Sequence, residues 1–284
     1  MTILVTGSAG GFGRLFSKWV QTRFTEDVVF SGRAPGSSKQ YIQCDLQIKE
    51  EIRAIIQRIR PRLIFHLAGS FSNSYESDLA VNSHSAKHIF DTLLEGNIAA
   101  RVVLFGSAAE YGVVESEENP IHEDHVLRPV SIYGLTKAYQ TQLAYCYARA
   151  HGIDVVVARM FNLLLPGLSD RLFVGRVERM ITRVQQGSLD IIEVGNLEGV
   201  RDYVTGEEAI RQVDLIADKG RSGEVYHVGS GRPLKMRDLL EALLRDASLD
   251  WSIVRSTEGC GTRTGYDVPM IYANMTKTNA LDGN

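Results

Sequence analysis

The sequence predicts an α/β chain: a doubly wound parallel sheet followed by a smaller C-terminal α/β lobe. Three observations predict it. Short β-branched runs alternate with longer segments of helical period through the first half. A glycine-rich loop stands where the first strand passes into the first helix. Beyond Asn162 the alternation breaks into short strands and turns, among them Pro166-Gly167 and Gly187-Ser188.

In chain order, strands are expected at 2–6, 27–31, 41–44, 62–66, 101–105 and 153–158, and helices at 11–22, 48–59, 78–94 and 131–150. Shorter strands follow at 191–194 and 225–228. Residues 1–162 then read as a dinucleotide-binding domain, to which 200–228 return. Residues 163–199 and 229–284 read as the substrate lobe, and the cleft between the two parts as the binding site.

A chain of 284 residues can bury a full core. Its formal net charge of −3 is spread without long runs of either sign, which argues against a nucleic-acid partner held on a basic stripe. The longest apolar stretch, 153–168, is broken by Asp154, Arg159, Asn162 and Pro166, so no membrane span is expected. Met1 leads directly into a strand with no secretory pattern. Cys44, Cys146 and Cys260 have neither redox nor ligand spacing, which fits a reduced, cytoplasmic setting. His84, His88, His122, His125, His151 and His227 share no ligand spacing with Cys or carboxylates, so no metal site is expected.

The loop after the first strand reads Gly7-Ser8-Ala9-Gly10-Gly11-Phe12-Gly13. Glycines allow a tight turn and let a pyrophosphate reach backbone N–H groups at a positively polarised helix start. A ligand-free turn is the alternative, and the flanking strand and helix favour the cofactor. The second strand closes on Ser31-Gly32-Arg33, with no carboxylate to hold a ribose 2′-hydroxyl. Ser31 and Arg33, with Lys39 nearby, are suited instead to a 2′-phosphate, so NADP(H) is the expected cofactor. Arg33 as a solvated loop charge is the competing reading.

Tyr133 and Lys137 stand at i, i+4 at the start of the helix 131–150, on one face. A nearby ammonium favours the phenolate, which suits Tyr133 to proton transfer; a buried Tyr beside a snorkelling Lys is the bland alternative. Ser107 ends the fifth strand in Phe105-Gly106-Ser107-Ala108-Ala109-Glu110-Tyr111-Gly112, where ligands of such sheets bind.

These three elements, in this order, resemble the extended short-chain dehydrogenase/reductase family of sugar-nucleotide enzymes, with a Rossmann-type sheet. The likeness runs from residue 1 to about 277. It implies Ser107, Tyr133 and Lys137 as catalytic residues. It implies cofactor contacts from Gly7, Gly10, Gly11, Phe12, Gly13, Ser31, Arg33, Asp45, Leu46, Leu67, Ala68, Gly69 and Asn82, besides Tyr133 and Lys137. Arg159-Met160-Phe161-Asn162 with Pro166-Gly167, and Arg201-Asp202-Tyr203, are similar to the family's sugar-diphosphate elements, so Arg159, Asn162 and Arg201 are expected to line that site.

The residues after Ser107 discriminate among the family's reactions. Dehydratases of the family carry acids there, whereas Ala108 and Ala109 cannot move a proton. Glu110, one position beyond the expected acid, reads as a structural partner, with proton transfer as the alternative. No cysteine of the epimerase-reductase kind is present near that point. Reduction of a 4-keto group is expected, with 4-epimerisation or a non-catalytic NADP sensor as alternatives. The stretch 194–203, the stretch 228–234 and Asp267-Val268-Pro269 resemble the GDP-4-keto-6-deoxymannose reductase subgroup, which adds Arg263 as a diphosphate contact. Val204-Thr205-Gly206-Glu207-Glu208 departs from the family pattern, and the chain ends shortly after Lys277, where family members continue into a final helix. The resemblance also implies a homodimer through helices 78–94 and 131–150, with Tyr139, Leu143 and Cys146 as an apolar stripe; intrachain core is the other reading of that stripe.

Overall fold

The expected strands form, and all but the edge strand Tyr41–Gln43 are buried enough to explain why their apolar runs are nearly continuous. They are β1 (Thr2–Thr6), β2 (Asp27–Gly32), β3 (Tyr41–Gln43), β4 (Pro61–His66), β5 (Arg101–Ser107) and β6 (Val155–Met160). The computed structural model describes residues 1–33, 40–72, 74–257 and 268–283. Lys39, Cys260, Arg263 and Asp267 lie outside them. A seventh strand, Val225–Val228, joins β6 at the edge, giving the order Val225–Val228, β6, β5, β4, β1, β2, β3. All neighbours are parallel. The strand order reverses direction between β1 and β4, which opens a crevice at their carboxyl ends.

Period-two alternation sorts the strand residues onto two cores. Ile3, Val5, Leu63, Phe65, Val103, Phe105, Val156 and Ala158 pack with Phe16 and Val20 of α1 (Gly11–Arg23) and with Val213 and Ile216 of the helix Gly206–Lys219. Leu4, Ile64, Val102, Leu104, Val155 and Val157 face the other way. They meet α2 (Lys49–Ile59) through Ile52 and Ile56, and further helices through Ile89, Phe90, Leu93 and Ala144.

The expected helix 78–94 is longer and not uniform. It comprises α3 (Tyr75–Leu79), a π-helical turn Ala80–His84 and α4 (Ser85–Glu95). The wide turn buries Asn82 and Ser83. Both are tied to α5 (Ile132–His151): Asn82 Nδ2 donates to Thr136 Oγ1 at 2.9 Å and Ser83 Oγ to the Thr136 carbonyl at 2.8 Å. Side-chain bonds to a neighbouring helix accompany the local widening, as is common where such turns border a site.

After β6 a third core forms from Val177, Ile181, Ile192, Val194, Leu240 and Leu244. They come from helices Phe173–Gln185 and Met236–Asp246 and the strand Ile192–Val194, which pairs with Val254–Ser256. The unusual segment around Thr205 has a local reason: Thr205 caps the helix Gly206–Lys219, its hydroxyl accepting from Glu208 N at 3.3 Å, and two glutamates complement the helix start. At Gly206 an added Cβ would lie 2.4 Å from Leu15 Cδ2, so α1 can approach closely.

Among the described residues, no helix is long and apolar enough to cross a membrane, and no group of three His, Cys, Asp or Glu could hold a metal ion.

Candidate active site

The glycine loop divides into residues that the chain itself requires and one that faces outward. Gly7 has φ +76°, and a Cβ there would sit 2.5 Å from Ala68 N at the end of β4. At Gly13 a Cβ would sit 2.3 Å from the Gly7 carbonyl oxygen, so the loop folds onto its own helix. Gly10 caps α1 without any side-chain bond, and the first turn carries no acid. A Cβ at Gly10 would meet only the Gly7 carbonyl oxygen, at 3.6 Å. The N-terminal N–H groups of α1 thus retain their partial positive charge, and an anion suits them. Gly11 is packed by Gly167 and Leu168, with Gly167 O 3.1 Å from its would-be Cβ. The Phe12 ring turns to Phe16 and Phe105, with centroids 5.9 and 6.1 Å away.

The other expected cofactor residues fall into two groups. Arg33 is exposed at the end of β2, with its carbonyl accepting from Gln43 Nε2 at 3.0 Å. Gly69 is exposed and Leu67 half-buried at the end of β4, beside buried Ala68. Ser31, by contrast, is 1% exposed and lines an interior cleft with Cys44 and Leu46. Asp45 turns its carboxylate to the Gln47 N–H at 3.0 Å, leading into α2. Asn82 secures the loop beyond Gly69, its Oδ1 accepting from Ser70 N at 2.7 Å and its Nδ2 donating to Ser70 O at 2.9 Å.

Ser107, Tyr133 and Lys137 meet at the carboxyl end of β5. Ser107 starts a short turn in which its hydroxyl oxygen accepts from Ala109 N at 3.2 Å. The α5 helix begins flush against that turn. Ser131 caps it, accepting from Gly134 N at 3.0 Å, and a Cβ at Gly134 would lie only 2.3 Å from the Ala109 carbonyl oxygen. This contact sets Tyr133 beside Ser107, and the Phe71 ring stands edge-on to the phenol with centroids 5.0 Å apart.

Burial pushes the Tyr133 phenol above its ordinary value, the charges of Glu110 and Asp78 push the same way, and the Ser107 hydrogen bond opposes them. The phenol therefore keeps its proton in this structure. Lys137 is 4% exposed and donates to the Phe105 carbonyl at 2.6 Å and to Gln140 Oε1 at 2.9 Å. Burial lowers its pKa to about 8, against the pull of Glu110. His66, behind them, bonds Thr6 Oγ1 at 2.8 Å and Ser85 Oγ at 2.9 Å, and burial lowers it to about 3, so it is neutral.

Glu110 is fully buried and saturated. It accepts from Ser107 N at 2.7 Å, Thr141 Oγ1 at 2.8 Å, and Arg159 Nε and Nη2 at 3.1 and 2.9 Å. Arg159, 1% exposed, spends its remaining donor group on the Tyr111 hydroxyl at 2.6 Å and the Glu123 carbonyl at 3.0 Å. The expectation that Arg159 lines a diphosphate site is therefore corrected: its guanidinium is a core cation that anchors the turn after Ser107. His227 continues the network, bonding the Tyr111 hydroxyl and the Asn274 carbonyl.

Asn162 opens the short strand Asn162–Leu164, which pairs with Tyr203–Thr205, and Arg201 ends the strand Val200–Arg201 of a separate small sheet. Asn162 Nδ2 donates to the Asp202 carbonyl at 3.0 Å, and Arg201 Nη1 to the Val200 carbonyl at 3.0 Å. Burial raises the Tyr203 phenol to about 12, opposed by the charges of Arg201 and Arg176, so two cations stand near it. Arg176 was not singled out by sequence reasoning, and for Asp202, named only within the Arg201-Asp202-Tyr203 motif, no role was read, although the structure gives it one. The latter is buried and accepts from Ser230 N at 2.7 Å, Gly231 N at 2.9 Å and Ala273 N at 3.1 Å.

A parallel sheet with an anion-ready helix start and a Ser–Tyr–Lys cluster at one strand end is the architecture of a dinucleotide-dependent enzyme. Residues 3–229 match the model of the NAD dependent epimerase/dehydratase family, and the chain belongs to that family. Over 202 residues it is 28% identical to the GDP-6-deoxy-D-mannose reductase of Pseudomonas aeruginosa, covering 69% of this chain and 66% of that protein. Over 204 residues it is 29% identical to a dTDP-glucose 4,6-dehydratase of Streptomyces griseus, covering 66% of this chain and 60% of that protein. The chain thus matches less than two thirds of either relative's length. RMD from Pseudomonas aeruginosa, solved in complex with NADPH, shares the fold with a TM-score of 0.85 at 22% identity, covering 99% of this chain and 92% of that one.

Arg159→Met is predicted to cost about 3–5 kcal/mol by leaving the Glu110 carboxylate buried and unpaired. Adding Glu110→Gln should restore part of that loss. Urea unfolding of the two single variants and the double variant checks it, and additive losses would refute the pairing.

Proposed function

We propose that this chain is an NADPH-dependent reductase of the 4-keto group of a nucleotide-activated 4-keto-6-deoxyhexose, with a GDP-linked sugar favoured. The observation that carries the reading is the content of the turn after Ser107. Ala108 and Ala109 offer no acid or base, and Glu110 is locked by four hydrogen bonds, so eliminating water has no proton carrier there. Hydride transfer coupled to one proton needs only Tyr133. The similarity to a GDP-6-deoxy-D-mannose reductase supports the same reading.

The residues fit a dinucleotide. The uncapped start of α1 suits a pyrophosphate, and β2 ends without the acid that would repel a 2′-phosphate. A side chain at Gly32 is disfavoured, because its Cβ would fall 2.6 Å from the Tyr41 hydroxyl, whereas Arg33 beside it is exposed. Gly7, Gly10, Gly11, Phe12, Gly13, Arg33, Leu67, Ala68 and Gly69 form the proposed contact set. Ser31, Asp45, Leu46 and Asn82 shape it from behind.

When bound, the reduced nicotinamide supplies the hydride. Tyr133 gives its proton to the carbonyl oxygen as negative charge develops there. Ser107, whose hydroxyl accepts from Ala109 N and bonds the Tyr133 phenol in the structure, would turn its O–H to the same oxygen when substrate is bound. Lys137 in its ammonium form brings positive charge to the site and keeps one N–H beyond its two protein acceptors for a ribose hydroxyl. Asn162 and Arg201, with Arg263, are proposed to hold the diphosphate.

The proposed dimer uses the face of α5 on which Leu135, Tyr139 and Tyr145 are 47, 49 and 52% exposed. Cys146 is exposed there too, while Leu143 packs largely inward. Light scattering at micromolar concentration should give twice the chain mass; a monomer would remove this part.

The first experiment follows NADPH absorbance with GDP-, CDP- and dTDP-linked 4-keto-6-deoxyhexoses. Oxidation with the GDP sugar is expected, and none with any sugar would favour the epimerase or sensor reading. Tyr133→Phe should lower kcat by about a hundredfold or more while leaving NADPH affinity intact. Arg33→Ala should raise the KM for NADPH by about tenfold and that for NADH little; equal effects on both would overturn the NADPH preference.

A further inference from the structure

We propose that Gln140 is a positioning residue that holds the Lys137 ammonium for the reaction at Tyr133. The role rests on the reductase reading for its consequence in turnover, but the contact itself does not. An ammonium has three N–H donors and no acceptor. The Phe105 carbonyl takes one at 2.6 Å, and Gln140 Oε1 takes a second at 2.9 Å. Gln140 lies one helical turn beyond Lys137 and is 1% exposed.

The amide's orientation follows from chemistry. Because Lys137 can only donate, Gln140 must present its oxygen, and its Nε2 is then buried with no protein partner among the described residues. A buried NH2 group without a protein partner does nothing for folding, and an apolar side chain of similar length would fit the core better. The amide is accounted for by the ammonium, which would otherwise have the Phe105 carbonyl as its sole acceptor.

The surroundings leave this acceptor a real effect. Burial disfavours the charged form of Lys137, and Glu110, across from it in the turn after β5, favours that form. His66 at the end of β4 is neutral, and Tyr133 on the same helix face is protonated, so neither contributes a compensating charge. A neutral acceptor at 140 holds the ammonium in place without the tight pairing that a carboxylate would impose.

Lysine labelled with 13C at Cε reports the Lys137 titration directly, without any substrate, its signal identified by loss in Lys137→Arg. The wild-type midpoint is expected near about 8. Gln140→Leu should lower it by about one pH unit, and Gln140→Glu should raise it by about as much. The alkaline limb of kcat/KM for ketosugar reduction should move with the midpoint in each variant, since that ratio reports the free enzyme. The Tm of Gln140→Leu should not fall, because the unpaired NH2 is removed with the acceptor. Midpoints unmoved in both variants, or moved in the same direction, would overturn the proposal, as would a lower Tm for Gln140→Leu with an unmoved midpoint. If the midpoints move oppositely while no ketosugar is reduced, Gln140's hold on Lys137 stands and the substrate assignment falls.

Discussion

The ion pair of Glu110 with Arg159 is the constraint on which the rest of the site depends. It joins the turn after β5, helix α5 through Thr141, and strand β6, on which Arg159 resides. A charged pair taken wholly out of water is a poor source of net stability, because desolvation offsets most of the attraction. What it provides is position. The carboxylate receives Ser107 N, so the strand can end only where that bond closes, and the guanidinium reaches Tyr111 and Glu123 beyond it. At Gly106 there is no room for a side chain beside the Glu110 carboxylate, whose oxygen would lie 2.7 Å from a Cβ.

The electrostatics around Tyr133 follow from the same closure. The nearby groups are buried, so each is held by its partners and burial acts on all of them in a predictable sense. The phenol keeps its proton, the histidine behind it is neutral, and the ammonium is the mobile charge with a midpoint closest to neutrality. Among the described residues, the groups set around Tyr133 are its own protonated phenol, one ammonium and a glutamate fixed by its hydrogen bonds. That is a narrower repertoire than the fold permits, and it comes from two alanines and one immobilised glutamate rather than from the backbone.

Much of this was legible in the chain. Strand positions followed from apolar runs because a parallel sheet covered on both faces leaves no polar side to obscure the signal. Gly7 and Gly13 were legible because loop and helix meet within a few residues, so the steric demand is local. The pairing of Ser107 with Tyr133 was implied by the family resemblance, and Gly134 against Ala109 is its physical cause. The helix 78–94 was misread at its start and in its regularity, because a π-turn preserves apolar spacing well enough to be invisible. Arg159 was misassigned for a different reason: an arginine near a binding motif looks the same in sequence whether it faces a phosphate or a buried carboxylate. Gln140 and Arg176 gave no signal, since a polar side chain on a helix reads the same whether it faces water or a buried partner. Asp202 stood inside a recognised motif, but its role did not show, because the backbone groups it holds come from distant segments.

The flush start of α5 has a bearing on how such a chain can be altered. Ala109 and Gly134 touch backbone to backbone, and Glu110 reaches Thr141 two turns later. The segment 106–111 and the first three turns of α5 therefore behave as two halves of one moulding. An exchange of either half with another protein would carry a mismatch at the joint, whereas exchanging both together preserves it. Altering this part of the scaffold is accordingly a matter of grafting paired segments, and residue-by-residue substitution in the turn alone runs first into the backbone of α5.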